Sequence, residues 1–226
     1  MKKIISIILC VLITISTIGC TSLNIFKDSY TNKLSHIELT EEEQNIIDLV
    51  GVKSNISIYE YVADDTYKSI SIWLEIYKNG ELLSNTKSRA SMSIGVDPDN
   101  KLKKGKIIVI VDRTSDYKNY KWRILHQHAN GSSSHSFTTE NDFETNNNET
   151  DNTFSESIGV SAEPVEIAPE ADIVLNTFLF NDADSMSTYR HQYDVENPEV
   201  VKEYDYVYLL KCKFSKKAVS EVHNQK

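Results

Sequence analysis

The stretch Lys68–Leu83, KSISIWLEIYKNGELL, decides the fold class. Its main apolar residues recur at every second position and therefore share one face of a strand: Ile70, Ile72, Leu74 and Ile76. A period of two residues is typical of a β-strand with one face in a core. Asn79-Gly80 follows directly, and this dipeptide favours a two-residue type I′ turn between antiparallel strands. The stretch therefore predicts a β-hairpin with an apolar inner face.

Strand-like runs recur along the rest of the chain. The run 106–112 (KIIVIVD) is apolar on both faces, as a central strand would be. Alternating or β-branched patterns also occur at 55–62, 90–96, 120–128, 133–139, 156–160, 171–182 and 203–214. All four prolines fall between these runs, where they interrupt no strand. Eight or nine short antiparallel strands predict a mostly β protein with a β-sandwich fold, and an immunoglobulin-like topology is the leading interpretation.

One short N-terminal helix is predicted within 39–51 (LTEEEQNIIDLVG). Thr40 and Glu43 have the spacing of a capping box, and Gly51 suits the position after a helix end. We expect its apolar stripe to cover one end of the core; the stripe consists of Ile46, Ile47 and Val50.

The sequence predicts a simple domain organisation after the N-terminal segment. Residues 37–215 are expected to form a single sandwich domain, followed by a C-terminal tail at 216–226. The Asn-rich segment 140–156 has almost no aliphatic residues and is interpreted as a polar loop. The alternative is that this segment separates two small β subdomains.

The first residues have the pattern of an export signal. Lys2 and Lys3 precede an uncharged apolar run at 4–18, which is shorter than the roughly 20 residues that span a bilayer as a helix. A basic start, a short apolar run and a small-residue end predict a secretory signal peptide at 1–19. The motif that follows is Thr17-Ile18-Gly19-Cys20.

This motif resembles the bacterial lipobox, although Thr17 stands where Leu is commonest. The resemblance covers residues 1–20 alone and implies that Cys20 becomes the first residue, carrying a diacylglyceryl thioether and usually a further acyl chain such as palmitate. Two or more chains are enough for stable membrane anchoring. Residues 20–36 would then be the lipidated cysteine and a flexible tether, with the body on the outer face of the bacterial cell membrane. The alternative is an ordinary secretory signal with a coincidental cysteine.

The net charge limits which partners are expected, and the cysteine content limits which disulfide bonds can form. Removal of Lys2 and Lys3, with no acidic residue lost, takes the net charge from −9 to −11. An acidic body is poorly suited to nucleic acid or to anionic lipid, so the N-terminal lipid is the expected membrane contact. Cys212 is the one cysteine left unmodified after Cys20, and it lies in an apolar run, so we expect a buried thiol and no disulfide.

Three of the six histidines lie within Arg123–Phe137, RILHQHANGSSSHSF. If Asn130-Gly131 forms a two-residue turn, His126 pairs with His135, and both share a face with His128. Such a hairpin could hold zinc or copper. The favoured interpretation is that the imidazoles cover the open end of the sandwich, so no cofactor is expected.

Strand parity places Trp73 and Tyr77 opposite the apolar face of 70–76. If that second face is exposed, these rings suit contact with an envelope protein, a peptide or a wall polymer. The alternative is burial under the helix or the 140–156 loop.

The leading functional hypothesis is a non-catalytic binding module. The alternatives are a metal-binding lipoprotein and an unrecognised envelope hydrolase. No Gly-x-Ser-x-Gly, phosphate-loop or paired His-Glu motif occurs, so the protein is not expected to be an enzyme.

Overall fold

The computed structural model describes residues 31–49, 55–83, 91–95, 103–113, 119–128, 131–140, 155–161, 163–181 and 198–223. The predicted signal peptide, Cys20 and the tether up to residue 30 lie outside these ranges, as do residues 141–154 of the predicted polar loop. The two ends of that loop belong to strands.

Twelve strands and three helices occur within the described ranges. The strands are β1 (Lys33–Ile37), β2 (Asn55–Val62), β3 (Ser69–Lys78), β4 (Glu81–Leu82), β5 (Ser91–Gly95), β6 (Lys104–Arg113), β7 (Asn119–His128), β8 (Gly131–Glu140), β9 (Ser155–Val160), β10 (Val165–Glu166), β11 (Asp172–Asn181) and β12 (Tyr206–Ser215). The helices are α1 (Glu41–Leu49), α2 (Pro198–Val201) and α3 (Val219–His223). The predicted mostly β fold is confirmed.

The strands form two antiparallel sheets. The first sheet has the order β10-β1-β2-β6-β7-β8, and the second has the order β4-β3-β12-β11-β9, with β5 also paired to β3. Twelve strands exceed the eight or nine predicted because three short strands were not predicted: β1, with five residues, and β4 and β10, with two residues each. The immunoglobulin-like topology is not confirmed, since two six-stranded sheets differ from the seven or nine strands of that fold.

The two sheets face each other across one apolar core. Trp122 of β7 lies edge-on to Phe178 of β11, with ring centroids 4.9 Å apart, and Tyr61 of β2 lies 5.3 Å from Phe214 of β12. The four apolar residues that predicted the inner face of β3 are all buried. At the end of β3 the turn residues Asn79 and Gly80 have φ values of 50° and 82°, which confirms the predicted hairpin.

A β-bulge in β11 is joined to the opposite sheet by buried hydrogen bonds. The register between β11 and β12 shifts between Val174 and Asn176. The Tyr59 hydroxyl, from β2 in the first sheet, donates to the Leu175 carbonyl at 2.5 Å. Asn176 Nδ2 donates to Ser57 Oγ at 2.8 Å. These two bonds cross between the sheets, so they fix the position of one sheet relative to the other.

Two boundaries differ from the prediction. Residues 33–36, which we assigned to the tether, form most of β1 and pair with β2, so the sandwich begins earlier than expected. This short strand contains only two aliphatic residues, Leu34 and Ile37, so its sequence has no apolar period of two residues. The predicted tail at 216–226 contains α3.

The capping box of α1 is confirmed, but the position of the helix is not. Glu43 Oε2 accepts hydrogen bonds from the Thr40 backbone N–H at 2.9 Å and from the Thr40 hydroxyl at 2.8 Å. Of the predicted apolar stripe, Ile46 is 56% exposed and Ile47 is half-buried, so neither is a fully buried core residue as expected. Val50 and Gly51 lie outside the described residues. Among the described residues, no helix is both long enough and apolar enough to cross a membrane.

We expect Tyr59→Phe to lower the free energy of unfolding by about 1–3 kcal/mol, because the buried Leu175 carbonyl loses its donor from the opposite sheet. Urea unfolding measures the change. Ser220→Ala is the control, since it removes an exposed hydroxyl and should change stability by less than about 0.5 kcal/mol. Equal stability of Tyr59→Phe and the parent protein would contradict the structural role of this bond.

Candidate functional site

The histidine hairpin forms in a register different from the predicted one. His128 pairs with Gly131, His126 with Ser133 and Ile124 with His135. The predicted pairing of His126 with His135 is therefore wrong by two residues. Residues 129–130, including Asn130 of the predicted turn, lie outside the described residues. Because side chains alternate between the two faces of a strand, a register shift of two residues leaves each side chain on the same face. The three imidazoles therefore do lie on one face of the sheet.

His126 is fully buried and bound to a tyrosine from another strand. Its Nε2 lies 2.8 Å from the Tyr61 hydroxyl oxygen, and its Nδ1 has no hydrogen-bond partner within the described ranges. Tyr61 reaches His126 by passing over Gly105 of β6, where an added Cβ would lie 2.5 Å from the tyrosine oxygen. The absence of a side chain at Gly105 therefore makes this contact possible.

Burial makes the Tyr61–His126 pair neutral. Desolvation, with a smaller contribution from His128, lowers the pKa of His126 to about 4. Desolvation also raises the pKa of Tyr61 well above its usual value. Both side chains are therefore uncharged at neutral pH, and they form part of the inner apolar layer.

The arrangement offers little support for a metal site. Tyr61 already contacts Nε2 of His126, and His128 lies beside it with ring centroids 5.4 Å apart. Within the part of the chain that the structure describes, no three His, Cys, Asp or Glu residues lie close enough together to hold a metal ion. Zinc or copper binding by His126, His128 and His135 thus stays a prediction, and the geometry favours their role at the end of the core.

The outer face of the second sheet holds both aromatic residues singled out from the sequence. Trp73 and Tyr77 are half-buried, and Glu75 lies between them on the same face. Trp73 Nε1 donates to Glu75 Oε1 at 3.1 Å, and the Tyr77 hydroxyl donates to Oε2 at 2.9 Å. Lys211 of β12 forms an ion pair with Oε2 at 3.2 Å. We call these four residues the Glu75 cluster.

The Glu75 carboxylate is charged although it is buried. Its side chain is only 6% exposed, and that of Lys211 is 12% exposed. Burial opposes ionisation, but the bonds from Trp73, Lys211 and Tyr77 outweigh it, and the pKa of Glu75 lies below its usual value. Three partners on one carboxylate hold both aromatic rings in fixed positions.

The two ends of the Glu75 cluster have different surroundings. Tyr77 packs against a second apolar cluster on the outer side of the sheet, made of Leu179, Val200, Val201, Tyr204, Val207 and Leu209. Leu82 of β4 pairs with Tyr77 and is 43% exposed. At the other end, Trp73 pairs with the exposed Ser91, and Lys213 Nζ lies 5.8 Å from the centre of its ring. The outer face therefore presents aromatic and aliphatic groups beside charged ones.

Sequence reasoning identified Trp73 and Tyr77 but missed Glu75 and Lys211. Glu75 lies two residues from both Trp73 and Tyr77 on the same strand, so strand alternation also predicts that Glu75 is on the outer face. Lys211 could not be found in this way, because its position depends on the pairing of β3 with β12, which are far apart in sequence.

A protein-family model described as the YgaN domain matches residues 33–214, from the start of β1 to near the end of β12. The match covers well over half of the chain, and the chain therefore belongs to the YgaN domain family. No curated protein and no solved structure matches the chain.

We expect stability to fall by about 2 kcal/mol between pH 7 and pH 5 through His126 alone. The unfolded imidazole, with an ordinary pKa of 6.5, binds a proton in this range, whereas the folded one, with a pKa of about 4, does not. The stabilisation is complete above about pH 6.5 and is lost as the pH falls towards 4.

Urea unfolding of the parent protein and of His126→Gln at both pH values isolates this contribution. Glutamine keeps a polar group near Tyr61 but does not titrate, so the variant should lose less stability on acidification. Identical pH dependence in the two proteins would contradict a buried neutral imidazole.

Proposed function

We propose that this member of the YgaN domain family is a lipid-anchored protein at the outer face of the bacterial cell membrane, and that it binds an envelope protein without catalysis. The Glu75 cluster is the observation that carries the binding part of the proposal. It holds Trp73 and Tyr77 in fixed orientations at the surface of the second sheet.

Fixed aromatic rings favour binding for an entropic reason. Association costs the freedom of side chains that become ordered, and rings held in advance avoid much of that cost. Tryptophan and tyrosine are also enriched among the residues that dominate protein interfaces. The half-buried Trp73 and Tyr77 thus have the chemistry of contact residues, and their rigidity has a defined structural source.

The surroundings favour a protein partner over a wall polymer. Leu82 and Leu83 add exposed aliphatic surface next to Tyr77, at 43% and 38% exposure. Aliphatic and aromatic groups at the centre with charged groups around them are typical of protein interfaces. Lys213 and Asp172, which form an ion pair at 2.8 Å near Trp73, would lie at the rim of such an interface.

The same contacts argue against a catalytic role for Glu75. Oε1 accepts a hydrogen bond from Trp73, and Oε2 contacts both Tyr77 and Lys211. A general base needs an oxygen within reach of the substrate proton. Here both oxygens hold neighbouring side chains, which suits positioning rather than proton transfer.

The anchoring part of the proposal rests on the lipobox-like motif that ends at Cys20. With the sandwich starting at β1, residues 21–32 connect the lipid to the body. A flexible segment of that length has an end-to-end distance of about 20 Å. The tether would therefore leave the surface of the sandwich accessible above the membrane.

We expect Cys20→Ser to release the protein from the membrane into the medium, because the acylated sulfur is the proposed anchor. Fractionation and metabolic labelling with tagged palmitate measure membrane association and acylation. Cys10→Ser, which changes a cysteine inside the predicted signal peptide, is the matched control and should stay labelled and membrane-bound. Membrane retention of unlabelled Cys20→Ser would contradict the anchor.

We expect Trp73→Ala to reduce recovery of the partner at least tenfold in cross-linked pull-downs from envelope extracts, because the variant removes one of the two fixed aromatic rings of the proposed interface. Leu49→Ala is the matched control, since it removes an exposed apolar side chain from α1 and should not change recovery. Trp73→Phe keeps a ring but loses the donor to Glu75, and it separates ring contact from positioning.

Two outcomes would contradict the proposed interface. One is equal recovery of envelope proteins by Trp73→Ala and the parent protein. The other is binding to purified cell walls, stripped of protein, that depends on Trp73 and accounts for all retention; this result would assign the face to a wall polymer.

A further inference from the structure

Within the described ranges, strand β8 forms a long free edge of the first sheet. It is the last strand in the sheet order and pairs only with β7 among the described strands. Its ten residues, Gly131–Glu140, pair with β7 without a register shift, so the edge is regular along its length. Its outward-pointing residues Ser132, Ser134, Ser136 and Thr138 are exposed.

The edge lacks the features that usually prevent strand pairing between molecules. Such edges are commonly protected by lysine, proline, bulges or short length. The sequence of β8, GSSSHSFTTE, contains no lysine, arginine or proline, and its one acidic residue is the terminal Glu140. The other described edge strands are shorter, at two to six residues: β4, β5, β9 and β10.

The inner side of this edge is incompletely covered. Phe137 stacks on Trp122 with ring centroids 6.0 Å apart and an angle of 8°, yet it is only half-buried. His135, also half-buried, lies 5.9 Å from Phe137. A further strand added beside β8 would cover both rings and would use the backbone groups of the free edge.

We propose that β8 pairs antiparallel with β8 of a second copy of this chain, about a twofold axis. An isologous contact requires a surface that is complementary to itself. A pairing centred on His135 places Ser134 opposite the partner's Ser136 and Ser132 opposite the partner's Thr138. No charged pair is brought together, and the result is a continuous twelve-stranded sheet.

Among possible contacts between two copies, the charge distribution favours the β8 edge. The chain carries a net charge of −9, so most contacts between two copies would oppose carboxylates. Antiparallel pairing of β8 places Glu140 of each copy at opposite ends of the interface, next to the partner's Gly131. The edge is thus a neutral strip through which two acidic molecules can approach.

Sedimentation equilibrium of the full chain in mild detergent tests the proposal. We expect the parent protein to show a reversible monomer–dimer equilibrium. The double variant S134K/S136K should raise the dimer dissociation constant at least tenfold, because four lysines would face one another. The control S91K/S220K adds the same charge at exposed positions away from β8 and should leave the constant unchanged.

Disulfide cross-linking provides a second readout that does not depend on the lysine variants. Cys212 is fully buried, so an added cysteine at His135 supplies the thiol for this test. Pairing about a twofold axis centred on His135 places that cysteine opposite its own counterpart, so it predicts a cross-linked dimer for His135→Cys and none for Ser91→Cys. A monomeric parent protein, a dimer unaffected by S134K/S136K, or a monomer whose β8 edge binds an extended peptide would each overturn the proposal.

Discussion

The hydrogen bond from the Tyr59 hydroxyl to the Leu175 carbonyl is the constraint on which the rest of the structure depends. A bulge interrupts the pairing of β11 with β12 at this point, and the loss of a buried hydrogen bond between the sheets would cost about 1–3 kcal/mol. The donor comes from the opposite sheet, and Asn176 and Ser57 form a second bond beside it. Apolar packing alone would tolerate several sheet positions, whereas these polar groups are satisfied in only one.

Once the sheets are fixed face to face, the side chains of their inner surfaces are buried in the core, and the surfaces that we propose for binding lie outside it. The isoleucines and leucine of β3 fill the core, so strand alternation turns Trp73, Glu75 and Tyr77 away from it. Glu75 then orders the two rings through its bonds with them and with Lys211. At the margin of the first sheet, the strand order leaves the backbone edge of β8 without a neighbour among the described strands. The outer face of one sheet and the edge of the other are therefore two separate surfaces created by one packing arrangement.

Local features could be predicted from the sequence, and features that depend on distant strand pairing could not. The Asn79-Gly80 turn and the Thr40–Glu43 capping box involve residues within four positions of each other, and both were predicted correctly. The histidine hairpin failed in register because turns at 129–130 and at 130–131 are both compatible with its sequence. Burial of His126 under Tyr61 needs three adjacent strands and a glycine at position 105. The pattern of α1 identified its apolar residues, but no local signal shows whether another element covers them.

The claim that both sheets form a single cooperative unit is tested most directly by residue-resolved native-state hydrogen exchange. Backbone amides in the central strands β7 and β11 belong to different sheets but share the core around Trp122 and Phe178. The structure predicts that the slowest amides of both strands exchange through one global opening, with equal free energies and equal dependence on denaturant. Exchange of either sheet at a free energy several kcal/mol below that of the other would contradict this account.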